Sequence, residues 1–173
     1  MTLDQTTIRR LLPADAEALA AFYNGLGTAS KRTFRPLEET TTRAICAGVA
    51  AGNAGGHVAG DGSKHATKYD LIALTGDRII GWSFLWELDA KSPDDGPVFG
   101  LAVADAYHGI GLGTRLTGAV ITWADEQNLP QVILTVVQDN VIAQHIYERQ
   151  GFVRYGEFVG KDGLDYHKMR RRS

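Results

Sequence analysis

Val103-Ala104-Asp105-Ala106-Tyr107-His108-Gly109-Ile110-Gly111-Leu112-Gly113-Thr114 is the stretch whose reading decides the fold. A short apolar strand runs into glycines at three alternate positions, then into a long segment with helical periodicity. Glycine removes the Cβ where backbone must approach a ligand, and a helix start leaves several N–H groups without intrahelical partners. Those orphan donors and the positive end of the helix dipole together suit a pyrophosphate.

Three phosphate loops compete for this stretch. A Walker A loop needs Gly-x-x-x-x-Gly-Lys followed by Ser or Thr, and the segment has no lysine. A dinucleotide fingerprint counted from Gly109 meets Thr114 in place of its last glycine. It also expects an acid about 20 positions on, where Asn128, Leu129 and Pro130 offer none. The third pattern, Gln/Arg-x-x-Gly-x-Gly, fits from His108 through Gly113 apart from its first residue. Downstream stands Asn140-Val141-Ile142-Ala143-Gln144-His145-Ile146-Tyr147-Glu148-Arg149-Gln150-Gly151-Phe152, which fits Asn-x-x-Ala-x-x-apolar-Tyr-Glu-x-x-Gly-Phe. With the two blocks in this order and strand signals before each, the chain resembles the GNAT acetyltransferase superfamily. The resemblance covers residues 70 to 170 well and the first 50 loosely.

The rest of the chain bounds the answer. Its 173 residues suit one domain, 1–173, with a sizeable core. A formal net charge of −2 gives no footprint for nucleic acid, and the basic run Lys168-Met169-Arg170-Arg171-Arg172 reads as leading into a solvated tail over 170–173. One cysteine, Cys46, excludes an internal disulfide and a Cys-rich zinc site; beside Ile45 and Val49 it reads as a core thiol. No apolar run is long enough to span a bilayer and no signal-peptide pattern opens the chain, so a cytoplasmic protein without a membrane partner is expected.

Periodicity gives the organisation. Strands are expected over Ile8–Leu12, Tyr69–Thr75, Arg78–Leu88, Pro97–Ala104, Gln131–Val137, Phe152–Val159 and Leu164–Arg170, with Gly76-Asp77 and Lys161-Asp162-Gly163 as hairpin turns. Helices are expected over Pro13–Asn24, Leu37–Ala50, Gly111–Asn128 and Asn140–Gln150, with Ser30–Pro36 as a loop. Residues 52–68 hold five glycines and no apolar period, a flexible surface loop whose His57 and His65 carry no metal. The fold class is α+β, a mixed three-layer domain. The resemblance adds a central, mostly antiparallel sheet of about seven strands, splayed between strands four and five and flanked by helices.

The resemblance also implies a chemistry. Acetyl-coenzyme A would lie in that splay, its pyrophosphate on the backbone amides of Gly109, Ile110, Gly111, Leu112, Gly113 and Thr114, with the Thr114 hydroxyl beside them. Leu101, Ala102 and Val103 would offer strand backbone to the pantetheine arm. His108 stands where the family has Gln or Arg and cannot form arginine's forked pair; Asp105 stands where proline is common. Tyr147 would protonate the departing thiolate or hydrogen-bond to it. Asn140, with Ala143 beside it, reads both as helix cap and as cofactor contact. Phe34 and Arg35 fall where the acceptor docks, Arg35 as a possible carboxylate ligand.

The base is the open place in this chemistry. Strand four carries no acid, which leaves Glu87, with Asp94 and Asp95 as further candidates. The expected activity is N-acetyl transfer from acetyl-coenzyme A to a primary amine, of a small molecule or a protein N-terminus, by direct attack in a ternary complex without a metal; a homodimer fits the resemblance. The alternative is a non-catalytic acyl-coenzyme A-binding module: Tyr147 argues against it, His108 and the missing carboxylate keep it open.

Overall fold

Seven strands form one sheet in the order β1-β2-β3-β4-β5-β7-β6. They are β1 (Thr7–Arg10), β2 (Lys68–Thr75), β3 (Arg78–Trp86), β4 (Val98–Val103), β5 (Gln131–Val137), β6 (Val153–Val159) and β7 (Asp165–Arg172). The computed structural model describes residues 5–53, 68–88 and 96–173. The expected loop with His57 and His65, and the pair Asp94 and Asp95, lie outside the described residues, apart from the loop's ends. Every neighbouring pair of strands is antiparallel except β4 and β5.

That exception makes the wedge. β4 and β5 are registered only at Val98↔Ile133, with Ile133 N–H donating to Pro97 O at 2.9 Å. Beyond this point the two strands separate, leaving backbone groups of β4 without a strand partner on that side. β5 is held instead from its other edge, through a continuous ladder from Gln131↔Arg172 to Val137↔Tyr166.

Helices cover both faces. On one face lies α4 (Leu112–Glu126), whose Leu112, Leu116, Val120 and Ala124 repeat at four-residue spacing and are all buried. It packs with Leu71, Ile80, Phe99, Val132 and Leu134 from alternate strand positions, joined by Tyr147 and Phe152. Burial of each such aliphatic or aromatic side chain stabilises by about 1.5–3 kcal/mol. On the other face, α1 (Ala16–Asn24) and α3 (Arg43–Gly52) bury Leu19, Tyr23, Cys46 and Val49 against Ile72, Trp82 and Phe84. A Cβ on Gly100, opposite Phe84 in the β3–β4 register, would overlap the Phe84 ring, so glycine is required there. α5 (Val141–Arg149) follows β5 and sends Tyr147 into the first core.

Three expectations need correction. Ser30–Pro36 is not all loop: Thr28–Thr33 is a short helix, α2. The helix expected over Leu37–Ala50 begins only at Arg43, where the Thr42 side chain caps it by accepting from Ile45 N–H at 3.3 Å. Nor is 170–173 a tail, because Arg170, Arg171 and Arg172 pair with Ile133, Val132 and Gln131 inside the sheet. Met169 points inward and is fully buried, while Arg171 forks onto Asp125 at 2.6 and 2.9 Å. Long basic stems flanking a buried methionine make an edge-region strand that resembles a tail by composition alone. Among the described residues no helix is long and apolar enough to cross a membrane.

Candidate active site

The separation of β4 from β5 opens a cavity of about 460 Å³. Leu101, Ala102 and Val103 form one wall; Thr135, Val136 and Val137 form the other. The glycine loop and the start of α4 close one end, and Asn140, Ile142, Ala143, Ile146 and Tyr147 of α5 and its cap lie across it.

At the loop, Gly109 and Gly111 adopt φ of 77° and 84°, left-handed conformations that side-chain-bearing residues rarely hold. Arg115 is the first residue of the helix to find a backbone acceptor, at Gly111 O (3.1 Å). The amides of Gly109 to Thr114 donate to no backbone carbonyl of the described residues, and no acid stands in the helix's first turn to oppose an anion. Gly111, Leu112, Gly113 and Thr114 line the cavity, whereas the Ile110 side chain turns into the core and leaves only its backbone to the loop. His108 lines the cavity too, but its Nε2 lies 2.9 Å from Val103 O. A carbonyl can only accept, so Nε2 carries the proton and that donor is spent on β4.

Asn140 serves as the N-cap of α5, its Oδ1 accepting from Ala143 N–H at 3.2 Å, which leaves Nδ2 as what it can offer a ligand. Gln144, buried one turn on, donates to Val137 O (3.3 Å) and Gln138 O (2.9 Å) and accepts from Arg154 (2.8 Å). These bonds lock α5 to the end of β5 and so fix the wall that carries Tyr147. The Tyr147 ring stands edge-on to Phe99 at 5.7 Å and packs near Phe152. Burial holds its phenol far above the ordinary tyrosine range, so the hydroxyl is neutral and a donor throughout physiological pH.

Phe34 lines the cavity from the side of α2, yet it is a core residue as well, edge-on to Trp82 at 5.5 Å and 7% exposed. Arg35 and Glu87 are not in the lining. Arg35 is exposed, its Nε donating to Lys31 O at 3.0 Å. Glu87 is exposed beyond the end of β3 with φ of 60°. No Asp or Glu lines the cavity among the described residues. The most perturbed carboxyl, Asp70, lies elsewhere: fully buried on β2, it accepts from Trp82 Nε1 (2.9 Å) and Trp86 Nε1 (3.1 Å), and burial pushes it up to about 6.

Sequence reasoning missed Ser30, Thr33, Tyr107, Ile142, Ile146 and the β5 residues of the wall. The spacing of Ile142, Ala143, Ile146 and Tyr147 on one helical face was the available signal for α5. Ser30 and Thr33 gave none, because nothing in Thr28–Thr33 alone has an apolar period.

Comparison with known proteins agrees with this geometry. Residues 42–152 match the family described as Acetyltransferase (GNAT) family. A mycothiol acetyltransferase of Geodermatophilus obscurus is 34% identical over 88 residues, covering 49% of this chain and only 29% of that relative's length. The crystal structure of a GNAT-family acetyltransferase from Streptococcus pneumoniae superposes with a TM-score of 0.78 at 24% identity, over 96% of this chain and 98% of the other. A protein from Salmonella typhimurium, solved with its cofactor acetyl-CoA, superposes with a TM-score of 0.74 at 18% identity, over 98% of this chain and 94% of the other.

Proposed function

The chain belongs to the GNAT acetyltransferase family, and on that footing we propose that it transfers acetyl from acetyl-CoA to a primary amine by direct attack. The observation that carries this reading is the run of unpaired amides from Gly109 to Thr114, opening into the β4–β5 wedge beside Tyr147. Two glycines with positive φ aim backbone rather than side chains at the cavity, which fits a pyrophosphate. Hydrogen bonds to charged groups contribute about 1.5–3 kcal/mol each, so a few of these donors can hold the cofactor once association costs are subtracted. The unpaired edge of β4 at Leu101 to Val103 fits an amide-bearing arm laid alongside it as an extra strand.

When bound, acetyl-CoA supplies the acetyl group as a thioester whose thiol ionises near about 8.5, a good leaving group. Tyr147 keeps its proton on Oη and offers it to the departing sulfur. Since burial raises the phenol well above a thiol, its role is chiefly a hydrogen bond that stabilises developing charge. Asn140 offers Nδ2 from the cap of α5. With no carboxylate in the described lining, the amine loses its proton to water reaching the open wedge. An alkylamine ionising at about 10.4 would need about 4.6 kcal/mol to be freed at pH 7, an α-amino group ionising at about 8 only about 1.4 kcal/mol. The acceptor class that fits is therefore an α-amino group or another weakly basic primary amine, on a small molecule or a protein N-terminus.

The same absence of a carboxylate favours a second reading, an acyl-CoA-binding module without turnover. Thiol release from acetyl-CoA over a panel of primary amines separates the two. Release that depends on the amine, with an acetylated product of matching mass, supports transfer; tight coenzyme A binding with no amine-dependent release supports the module.

A further inference from the structure

Asp105 opens the 3₁₀ turn Asp105–Tyr107 between β4 and the glycine loop, and its side chain is half exposed. Its carboxylate is nonetheless spoken for. Oδ2 accepts from Gly27 N–H at 3.0 Å and Oδ1 from Ser30 Oγ at 2.5 Å, both at the start of α2. Gly27 is matched to this contact, since a Cβ there would overlap Oδ2. At the other end of α2, Arg32 Nη1 donates to Asp139 Oδ2 at 3.0 Å, in the connection from β5 to α5. A six-residue helix is thus tied at one end to the loop that leads into α4 and at the other to the loop that leads into α5. Within this helix Ser30 and Thr33 line the cavity, and Phe34 does so just beyond it.

Besides these ties, Lys31 Nζ donates to Asn24 O at 3.1 Å and lies 5.9 Å over the Tyr23 ring of α1, and Phe34 just past the helix is buried against Trp82. None of the residues of α2 itself is buried, no side chain caps it from its own segment, and its first turn has no acid. A six-residue helix of this composition is not stable alone. The Asp105 carboxylate supplies from a distant part of the chain the negative charge and acceptor that a helix start ordinarily finds locally.

We propose that Asp105 is a positioning residue: it couples α2 to the glycine loop, so that a cofactor held in the loop also sets the Ser30–Thr33–Phe34 wall against which the acceptor rests. The proposal builds on the acetyltransferase reading and adds a link between its two halves. Coupling of this kind is reciprocal, so occupancy of the loop must order α2.

Amide hydrogen exchange over residues 28–34, measured with and without coenzyme A, reads that link without an identified acceptor. Coenzyme A should slow exchange there about 10-fold in the wild type, the scale of one hydrogen bond to a charged group. In Asp105→Ala, exchange should be fast with or without coenzyme A, and by the same linkage coenzyme A affinity should weaken about 10-fold. Gly27→Ala, which displaces the carboxylate, should behave like Asp105→Ala and add nothing in the double variant. With the best amine, Asp105→Ala should raise the KM of the acceptor and of acetyl-CoA about 10-fold each and leave kcat within about threefold. Coenzyme A that binds without slowing residues 28–34, or slowing that persists in Asp105→Ala, would overturn the proposal and leave the acetyltransferase reading standing. Failure of coenzyme A to bind the wild type would remove that reading and the proposal with it.

Discussion

Two buried ionisable side chains set the residue-scale behaviour, one in each core. Tyr147, neutral and packed against Phe99, lines the cavity and is the donor we propose for the leaving sulfur. Tyr147→Phe keeps the packing and removes the donor, so turnover with the best amine should fall about 10- to 1000-fold, at the low end for so good a leaving group, with coenzyme A affinity unchanged. Turnover at the wild-type rate would return Tyr147 to a purely packing role. Asp70 has one carboxylate oxygen on two indole N–H groups and the other, Oδ2, without a partner among the described residues. Its carboxyl is pushed up to about 6 from an ordinary 3.8, so the folded chain holds this proton more tightly than the unfolded chain. The stability this group provides is therefore complete below pH 4 and is lost as pH rises through about 6, a loss of about 3 kcal/mol for a shift of this size. In Asp70→Asn that loss should vanish, and denaturant unfolding between pH 4 and 7 should show the variant gaining on the wild type as pH rises. Parallel stability curves for the two proteins would exclude Asp70 as the source.

At the scale of elements, the wedge depends on a strand that composition disguises. β5 touches β4 at a single register position, so its place is fixed by β7, whose last residues are arginines. Removing residues 170–173 should therefore strip Gln131 to Ile133 of their β7 partners and break the Arg171–Asp125 fork. At about 0.5–1.5 kcal/mol per hydrogen bond the loss is about 3–5 kcal/mol, a large share of a typical domain's stability, and the thermal midpoint should drop by many degrees. An unchanged melt would mean the segment is dispensable. The sequence reading mistook it for a tail because arginine-rich ends are usually solvated, whereas the alternation that buries Met169 covers too few residues to stand out. β5 itself was legible to the residue, as an apolar run rich in β-branched side chains, and so was the glycine loop, because φ near +80° selects glycine. α2 was not legible: its start is met by the Asp105 carboxylate, a contact between residues more than seventy positions apart. Phe34 was read as substrate-binding from its place in the chain, but its burial against Trp82 is visible only once the sheet is assembled.

Across the whole molecule, the sheet separates two tasks. The α4 face carries the loop, Tyr147 and the larger part of the cavity wall; the α1–α3 face carries the aromatic cluster and Phe34. An opening lies where β4 leaves β5, lined from both cores, and no carboxylate stands in its described lining. The pH profile of turnover should accordingly rise with the free amine's own ionisation, and Glu87→Gln, altering an exposed residue outside the cavity, should leave it unchanged. A profile governed by an enzyme group that moves in Glu87→Gln would restore Glu87 as the base. The most direct test of the central claim, that the loop from Gly109 to Thr114 holds the cofactor, is calorimetric titration of acetyl-CoA into wild type and Gly111→Val, with circular dichroism to verify folding. A β-branched residue at φ of 84° is strained and turns the neighbouring amides away. Loss of two charge-assisted hydrogen bonds should weaken binding at least about 100-fold in a folded variant. Equal affinity in a folded Gly111→Val protein would contradict the account.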